Sequence, residues 1–373
     1  MNSLAPTIHP DSLHEAPQTG GPTSETCHLL RTRSYPASIS LVIPMFNEEP
    51  VIHLLRAEVT SYIDRLPTEA EVVLVNDGST DRTLQLAAAW AKDDPRIKVI
   101  QFARNFGHQA AATAGLDYAT GEAIVLMDAD LQDPVPVIDA MIVRYCEGYD
   151  VVYGQRARRA GETPLKRLTA WLFYRAMRQF VYRQLPVDTG DFRLLSRECL
   201  NALRQMRETH RFLRGMVTWI GFPQCAVAYE RHPRAGGTTK YPMSKMLPFA
   251  WTAATSFSTL PLKLSLYLGV GVGLTGVFEA FRAVFAWAFG FVVPGWTSLM
   301  IVTCLIGSAM LMCLAILGQY VGMIYEQVKG RPLYLVAQTI SRSPNVAVVP
   351  VSEMNPAAGK SFAEMIRPSI NAA

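Results

Sequence analysis

Asp128 and Asp130 stand one residue apart, directly after the apolar run Ile124-Val125-Leu126-Met127. Two carboxylates at a strand end suit a hard divalent cation, because Mg²⁺ takes one or two carboxylates and completes its shell with water and phosphate oxygens. A nucleotide diphosphate supplies such oxygens. An Asp-x-Asp pair alone is a weak signal, and Gln132 and Asp133 beside it add polar groups with little specificity. A second group, Asn76-Asp77-Gly78-Ser79-Thr80-Asp81, follows another apolar run. Gly78 suits a tight turn, and Thr80 or Asp81 suits the cap of a helix. A plain strand–turn–helix joint accounts for those three residues. It leaves Asn76 and Asp77 unexplained, and a carboxylate there can accept from the N–H of a pyrimidine base. The third group is Pro44-Met45-Phe46-Asn47-Glu48-Glu49. It reads as a helix start, with Asn47 as cap and the glutamates in the first turn, or as a nucleoside wall built on Pro44 and Glu48. The fourth, Arg104-Asn105-Phe106-Gly107-His108-Gln109, brings polar residues to the same level of the chain. A lone histidine such as His108 is more often structural than catalytic.

The elements that must position these groups alternate. Apolar runs at 39–43, 72–75, 97–102, 123–127 and 151–153 are separated by helical patterns at 51–66, 83–91, 109–118 and 135–145. Such alternation predicts an α/β fold, a mostly parallel sheet with helices on both faces. Ligands of these sheets sit at the carboxyl ends of the strands, which is where all four groups fall.

The 373 residues are 50% apolar and 18% charged, and the apolar excess lies after Leu262. A net charge of +4 is too small to argue for nucleic acid. Basic residues crowd one segment, from Arg156 to Arg183, with aromatic residues such as Trp171 and Phe180 between them. This is either a solvated helix face or a surface for anionic lipid or phosphate. Six cysteines without a CxxC pair suit a reduced compartment. No signal peptide is evident, and residues 1–36, rich in Pro, Ser, Thr and Gly, read as a disordered extension.

Two long apolar segments, 264–289 and 298–325, each reach the roughly 20 residues that a spanning helix needs. Pro294 and Gly295 break the chain between them, and Glu279 and Arg282 can pair on one helix face. Lysines and arginines flank the pair and are absent from the loop inside it, which places both flanks in the cytoplasm. The expected organisation is an extension (1–36), a cytoplasmic catalytic domain (37–243), interfacial amphipathic helices (244–262), a two-helix transmembrane hairpin (263–326) and a cytoplasmic tail (327–373). An ordinary core helix is the bland alternative for 244–262.

Together the four groups resemble family 2 inverting glycosyltransferases with the type A fold. The subgroup resembled is the polyprenyl-phosphate glycosyltransferases, dolichyl-phosphate mannose synthase-like enzymes and especially the bactoprenol glucosyltransferases. The resemblance runs from about Ser40 to Val336 through the stretches RNFGHQAAATAGLDYATGEAIVLMDADLQDP, GYDVVYGQR, DTGDFRLLSR, RFLRGMVTWIGF, GGTTKYP and VVPGWTSL. It implies that Asp77 contacts the base, with Pro44 and Glu48 near the nucleoside. It implies that Asp128, Asp130 and Gln132 hold Mg²⁺ or Mn²⁺ and the diphosphate. Asp191 is then the presumed catalytic base, Arg156 a phosphate ligand, and Arg234 and Lys240 part of a closing loop. Asn76 departs from the family, where many members carry a second Asp. The resemblance further implies a nucleotide-sugar donor, with UDP-glucose first and UDP-N-acetylhexosamine, UDP-galactose or GDP-mannose as alternatives. It implies a polyprenyl phosphate acceptor (undecaprenyl phosphate), a β-linked product, a homo-oligomer such as a tetramer, and residence in the cytoplasmic membrane.

Three rival classes fit less well, among them a transporter or flippase, for which two helices offer little room for a polar path. A processive synthase usually has more membrane helices and a Gln-x-x-Arg-Trp signature, which is not found. A non-catalytic nucleotide-sugar-binding subunit does not need the full set Asp128, Asp130, Asp191 and Arg156.

Overall fold

A computed structural model describes residues 30–156, 189–232, 260–290 and 295–342. Strands β1 (Ser38–Met45), β2 (Glu69–Asn76), β3 (Ile97–Phe102) and β4 (Ala123–Leu126) alternate with helices α1 (Ile52–Ile63), α2 (Thr83–Asp93), α3 (His108–Tyr118) and α4 (Val137–Cys146). Then come β5 (Val151–Arg156), β6 (Thr189–Ser196), α5 (Arg197–Gln205), α6 (Leu213–Ile220), β7 (Gln224–Tyr229), the long helices α7 (Leu260–Ala288) and α8 (Trp296–Val328), and β8 (Val336–Ser341).

The strands form one sheet in the order β7-β5-β6-β4-β1-β2-β3-β8. β4, β1, β2 and β3 are parallel neighbours. The parallel strands are Val/Ile/Leu-rich and buried on both faces, as helices on both sides of a sheet require. Ile39, Leu41 and Ile43 face α1, α2 and α4, whereas Val42 faces α3, α5 and α6. In α1 the buried Ile52, Leu55, Val59, Tyr62 and Ile63 recur at three- and four-residue spacing, the stripe of a half-buried helix. Ser196 ends β6 and caps α5, its hydroxyl accepting from the Cys199 N–H at 3.1 Å.

One antiparallel strand sets the geometry of the site. β6 pairs antiparallel with both β4 and β5. It therefore starts at the end of the sheet where the parallel strands finish. Leu126 is opposite Arg193 in that register, so two residues further on Asp128 comes opposite Asp191.

Two expectations about the termini are corrected. Residues 30–36, the end of the supposed disordered extension, pack on the domain: Arg33 pairs with Asp150 at 2.6 Å and its N–H donates to the Cys146 carbonyl at 2.8 Å. Polar anchors of this kind leave no apolar periodicity to read. The supposed tail after residue 327 contributes β8, antiparallel to β3, and Tyr334, whose hydroxyl donates to the buried Asp117 at 2.8 Å. The expected pairing of Arg282 with Glu279 is present at 2.7 Å.

Leu305–Val328 is long and apolar enough to cross a membrane by length and composition, with mean hydropathy 1.8. The end of α8 is joined to the loop between α5 and α6: the Thr209 N–H donates to Gln327 Oε1 at 2.8 Å, and Gln327 Nε2 donates to the Arg207 carbonyl at 3.1 Å.

Candidate active site

The loops after β1 and β2 are stitched to one another. The Asn47 N–H donates to Ser79 Oγ at 2.9 Å, the Thr80 N–H donates to Asn47 Oδ1 at 2.8 Å, and the Glu48 N–H donates to Thr83 Oγ1 at 2.8 Å. Asn47 thus bridges to the neighbouring loop rather than capping α1, whose cap position is Val51. Pro44 lies in β1 opposite Val75. Asp77 is nearly buried, and its two oxygens accept from the N–H groups of Phe106 and Gly107 at 2.6 and 2.9 Å. Burial raises its pKa from the ordinary carboxylate value, against the lowering by those two bonds. Asp77 therefore fixes the loop before α3, and each oxygen keeps a second lone pair for a ligand. Gly78 permits the approach: at φ +66 it lies so close that a Cβ would come within 2.6 Å of the Arg104 and Asn105 backbone.

Asp128 and Asp130 follow β4. Asp130 is 5% exposed, and its Oδ1 accepts from the Gln132 N–H at 3.2 Å. Leu131 between them has φ 54, and Asn47 has φ 52. Left-handed backbone at a leucine is strained, and such strain gathers at functional loops. Burial pushes the Asp128 carboxyl up to about 6, the charges of Asp133, Asp191 and Asp130 add to this, and His108 opposes it.

Asp191 is buried and held from several sides. Arg214 Nε donates to Oδ1 at 2.8 Å. His108 Nε2 and Gln109 Nε2 reach Oδ2 at 3.1 and 3.2 Å. Burial alone would raise its pKa, but Arg214, His108 and Arg193 hold it well below the usual range. His108 also lies 3.7 Å from Asp128. Burial works against its charge, yet the Asp191 bond and the two carboxylates raise its pKa to about 9. Gln109 ties this cluster to α6, its Oε1 accepting from the Leu213 N–H at 2.9 Å. Arg156, at the end of β5, reaches the same place: its guanidinium lies 3.0 Å from where a Cβ on Gly190 would be.

The structure thus brings Asp128, Asp130, Asp191, Arg156, Asp77, Pro44, Glu48 and Gln132 to the strand-end face. Arg234, Lys240 and all of the basic segment after Arg156 lie outside the described residues, as do 244–259. Sequence reasoning did not single out Arg214, and it placed Gln109 in the fourth group without a role. Both stand inside stretches that carry the resemblance, but nothing local says that a residue of α6 meets the start of β6. Among the described residues, no three His, Cys, Asp or Glu side chains converge as a ready-made metal cage. The donor set still fits a cation that draws most of its ligands from substrate and water, since a divalent charge at Asp128 relieves the repulsion among its neighbouring carboxylates.

A model of glycosyl transferase family 2 matches residues 40–204. The uncharacterized glycosyltransferase YkcC of Bacillus subtilis is 43% identical over 301 residues, covering 80% of this chain and 93% of the relative. The prophage-derived bactoprenol glucosyl transferase of Shigella flexneri is 36% identical over 307 residues, covering 82% and 99%. A solved glucosyl-3-phosphoglycerate synthase from Mycobacterium tuberculosis, in complex with Mn²⁺ and uridine-diphosphate-glucose, is 20% identical with a TM-score of 0.43, over 58% of this chain and 76% of that one.

Proposed function

The chain belongs to glycosyl transferase family 2 and is a glycosyltransferase, and on that premise we propose that it moves glucose from UDP-glucose to undecaprenyl phosphate, with inversion, at the cytoplasmic membrane face. The observation that carries this reading is the meeting of Asp128, Asp191 and Arg156 at one end of the sheet, together with the near-complete coverage of a bactoprenol glucosyl transferase. In the reaction, a phosphate oxygen of the acceptor attacks the anomeric carbon. The bond from that carbon to the nucleotide diphosphate breaks, and the diphosphate leaves with the electron pair.

Asp77, Pro44 and Glu48 form the nucleoside side. Asp128 and Asp130, with Gln132, would hold Mg²⁺ or Mn²⁺, which when bound neutralises charge on the leaving diphosphate. The nucleophile needs little help with its proton, because a phosphate monoester with a second pKa of about 6 is largely a dianion near neutral pH. Its difficulty is approaching another anion. Arg156 offsets that charge as a guanidinium suited to phosphate oxygens. Asp191, held ionised with both oxygens engaged, orients the site rather than removing a proton. α7 and α8, whose apolar side chains such as Phe278, Phe281 and Leu311 are exposed, form the membrane hairpin that concentrates the lipid acceptor, and the chains assemble as a homo-oligomer.

The test is transfer from a panel of radiolabelled nucleotide-sugars to undecaprenyl phosphate in detergent, with Mg²⁺ or Mn²⁺ and with EDTA. Label in the lipid phase from UDP-glucose, abolished by EDTA, is the expected result. No lipid product from any donor, with nucleotide binding intact, contradicts it.

A further inference from the structure

Arg156 and Tyr229 are register partners across the parallel β5–β7 pair, each the last residue of its strand. Parallel partners present their side chains on one face, and the Arg156 guanidinium stands close enough to the Tyr229 hydroxyl to act on it electrostatically. That hydroxyl donates in turn to Asp133 Oδ1. A phenol has one proton to give and lone pairs left over, so with its proton given to Asp133 it can turn its lone pairs to the guanidinium.

The ring has little freedom. It lies over Gly154, where a Cβ would come within 2.7 Å of Tyr229 Cε1. It also packs edge-on against Phe192, with centroids 5.7 Å apart and planes at 82°. The hydroxyl position is therefore set by packing. Asp133 is 1% exposed, and its Oδ2 has no hydrogen-bond partner among the described residues, nor do the Nε atoms of Arg156 and Arg231. Burying a carboxylate with one oxygen unmatched is unfavourable. Its hydrogen bond to Tyr229 links it to the register partner of Arg156.

We propose that Asp133 and Tyr229 are positioning residues for the acceptor phosphate: they hold the Arg156 guanidinium over Gly190, beside Asp191, in the orientation that receives it. The proposal rests on the reading of Arg156 as the ligand of a lipid phosphate. Neither residue touches the acceptor.

The experiment measures kcat, KM for undecaprenyl phosphate and UDP affinity on the full-length protein in detergent. The variants are Tyr229→Phe, Asp133→Asn, Gly190→Ala, Arg156→Ala and the double variant Arg156→Ala/Tyr229→Phe. Tyr229→Phe removes the hydroxyl, and with it both the bond to Asp133 and the contact with Arg156, and is expected to raise the acceptor KM about tenfold. UDP affinity stays unchanged, and Tyr229→Phe has no further effect in the Arg156→Ala background. Gly190→Ala, which places a methyl 3.0 Å from the guanidinium, raises the same KM even if Asp133→Asn fails to fold. An unchanged acceptor KM in Tyr229→Phe overturns the proposal. So does a parallel fall in UDP affinity, or an effect that persists in full without Arg156. If the wild-type protein transfers sugar from no donor, the acceptor reading itself fails and the proposal falls with it. Transfer by the wild type with an indifferent Tyr229→Phe sinks the proposal alone.

Discussion

The two sides of the strand-end face are built by different means. On the side proposed for the nucleoside, the loops after β1 and β2 are fixed largely by side chains bonded to backbone N–H groups: Ser79 to Asn47, Asn47 to Thr80, Asp77 to Phe106 and Gly107. On the side proposed for the acceptor, Asp191 is held by side chains alone, from Arg214 on α6 and from His108 and Gln109 on α3. Backbone donors are present whatever the residue, so the first side needs only short polar residues at turns. The second needs particular long side chains from remote elements, and one substitution leaves buried charge without its partner.

The largest effect is expected where the two sides meet. Asp128→Ala should lower kcat on the order of 10²–10³-fold, as removal of a group that stabilises developing charge does. Steady-state transfer kinetics measure this. On the acceptor side, Asp191→Asn strands Arg214, Arg193 and His108 and should cost about 3 kcal/mol at neutral pH, measured by denaturant unfolding. The folded pKa of Asp191 lies below the unfolded value near 3.9. Its ionised form therefore stabilises fully above that value, and the contribution is lost as pH falls toward the folded pKa. The gap between wild type and variant should be present above about pH 4 and close below it. A gap independent of pH breaks the comparison.

On the nucleoside side, Asp77→Ala removes two charge-assisted bonds to the loop before α3, a loss of about 2 kcal/mol. It should weaken UDP binding and leave the acceptor KM alone. The smallest effect belongs to Ser79→Ala, which removes one neutral bond and costs about 1 kcal/mol. A change of acceptor KM in either variant would show that the sides are not separate.

The same contrast governs what the sequence made legible. The parallel strands and their helices follow from apolar runs and helical stripes, and Asp77 and Asp128 follow from standing at strand ends. Those signals are local. The antiparallel β6 was not read from periodicity, and without it Asp191 has no place in the sheet; the resemblance alone brought it to the site. Arg214, Tyr229 and the roles of Gln109 and Asp133 were not legible, because each acts through a residue far away in the chain. Asp77 was read as a base contact, whereas its two bonds to Phe106 and Gly107 give it a second task. Strand β8 is short and lies at the edge, and its pattern too faint to separate from a tail.

The most direct test of Asp191 as a fixed anion is the pH–rate profile of Asp191→Asn beside the wild type, with UDP-glucose and undecaprenyl phosphate. A loss of turnover of the same size from neutral to alkaline pH is expected, since the variant lacks an orienting charge that hydroxide does not replace. Recovery of the lost rate at alkaline pH would contradict the account and make Asp191 the proton acceptor.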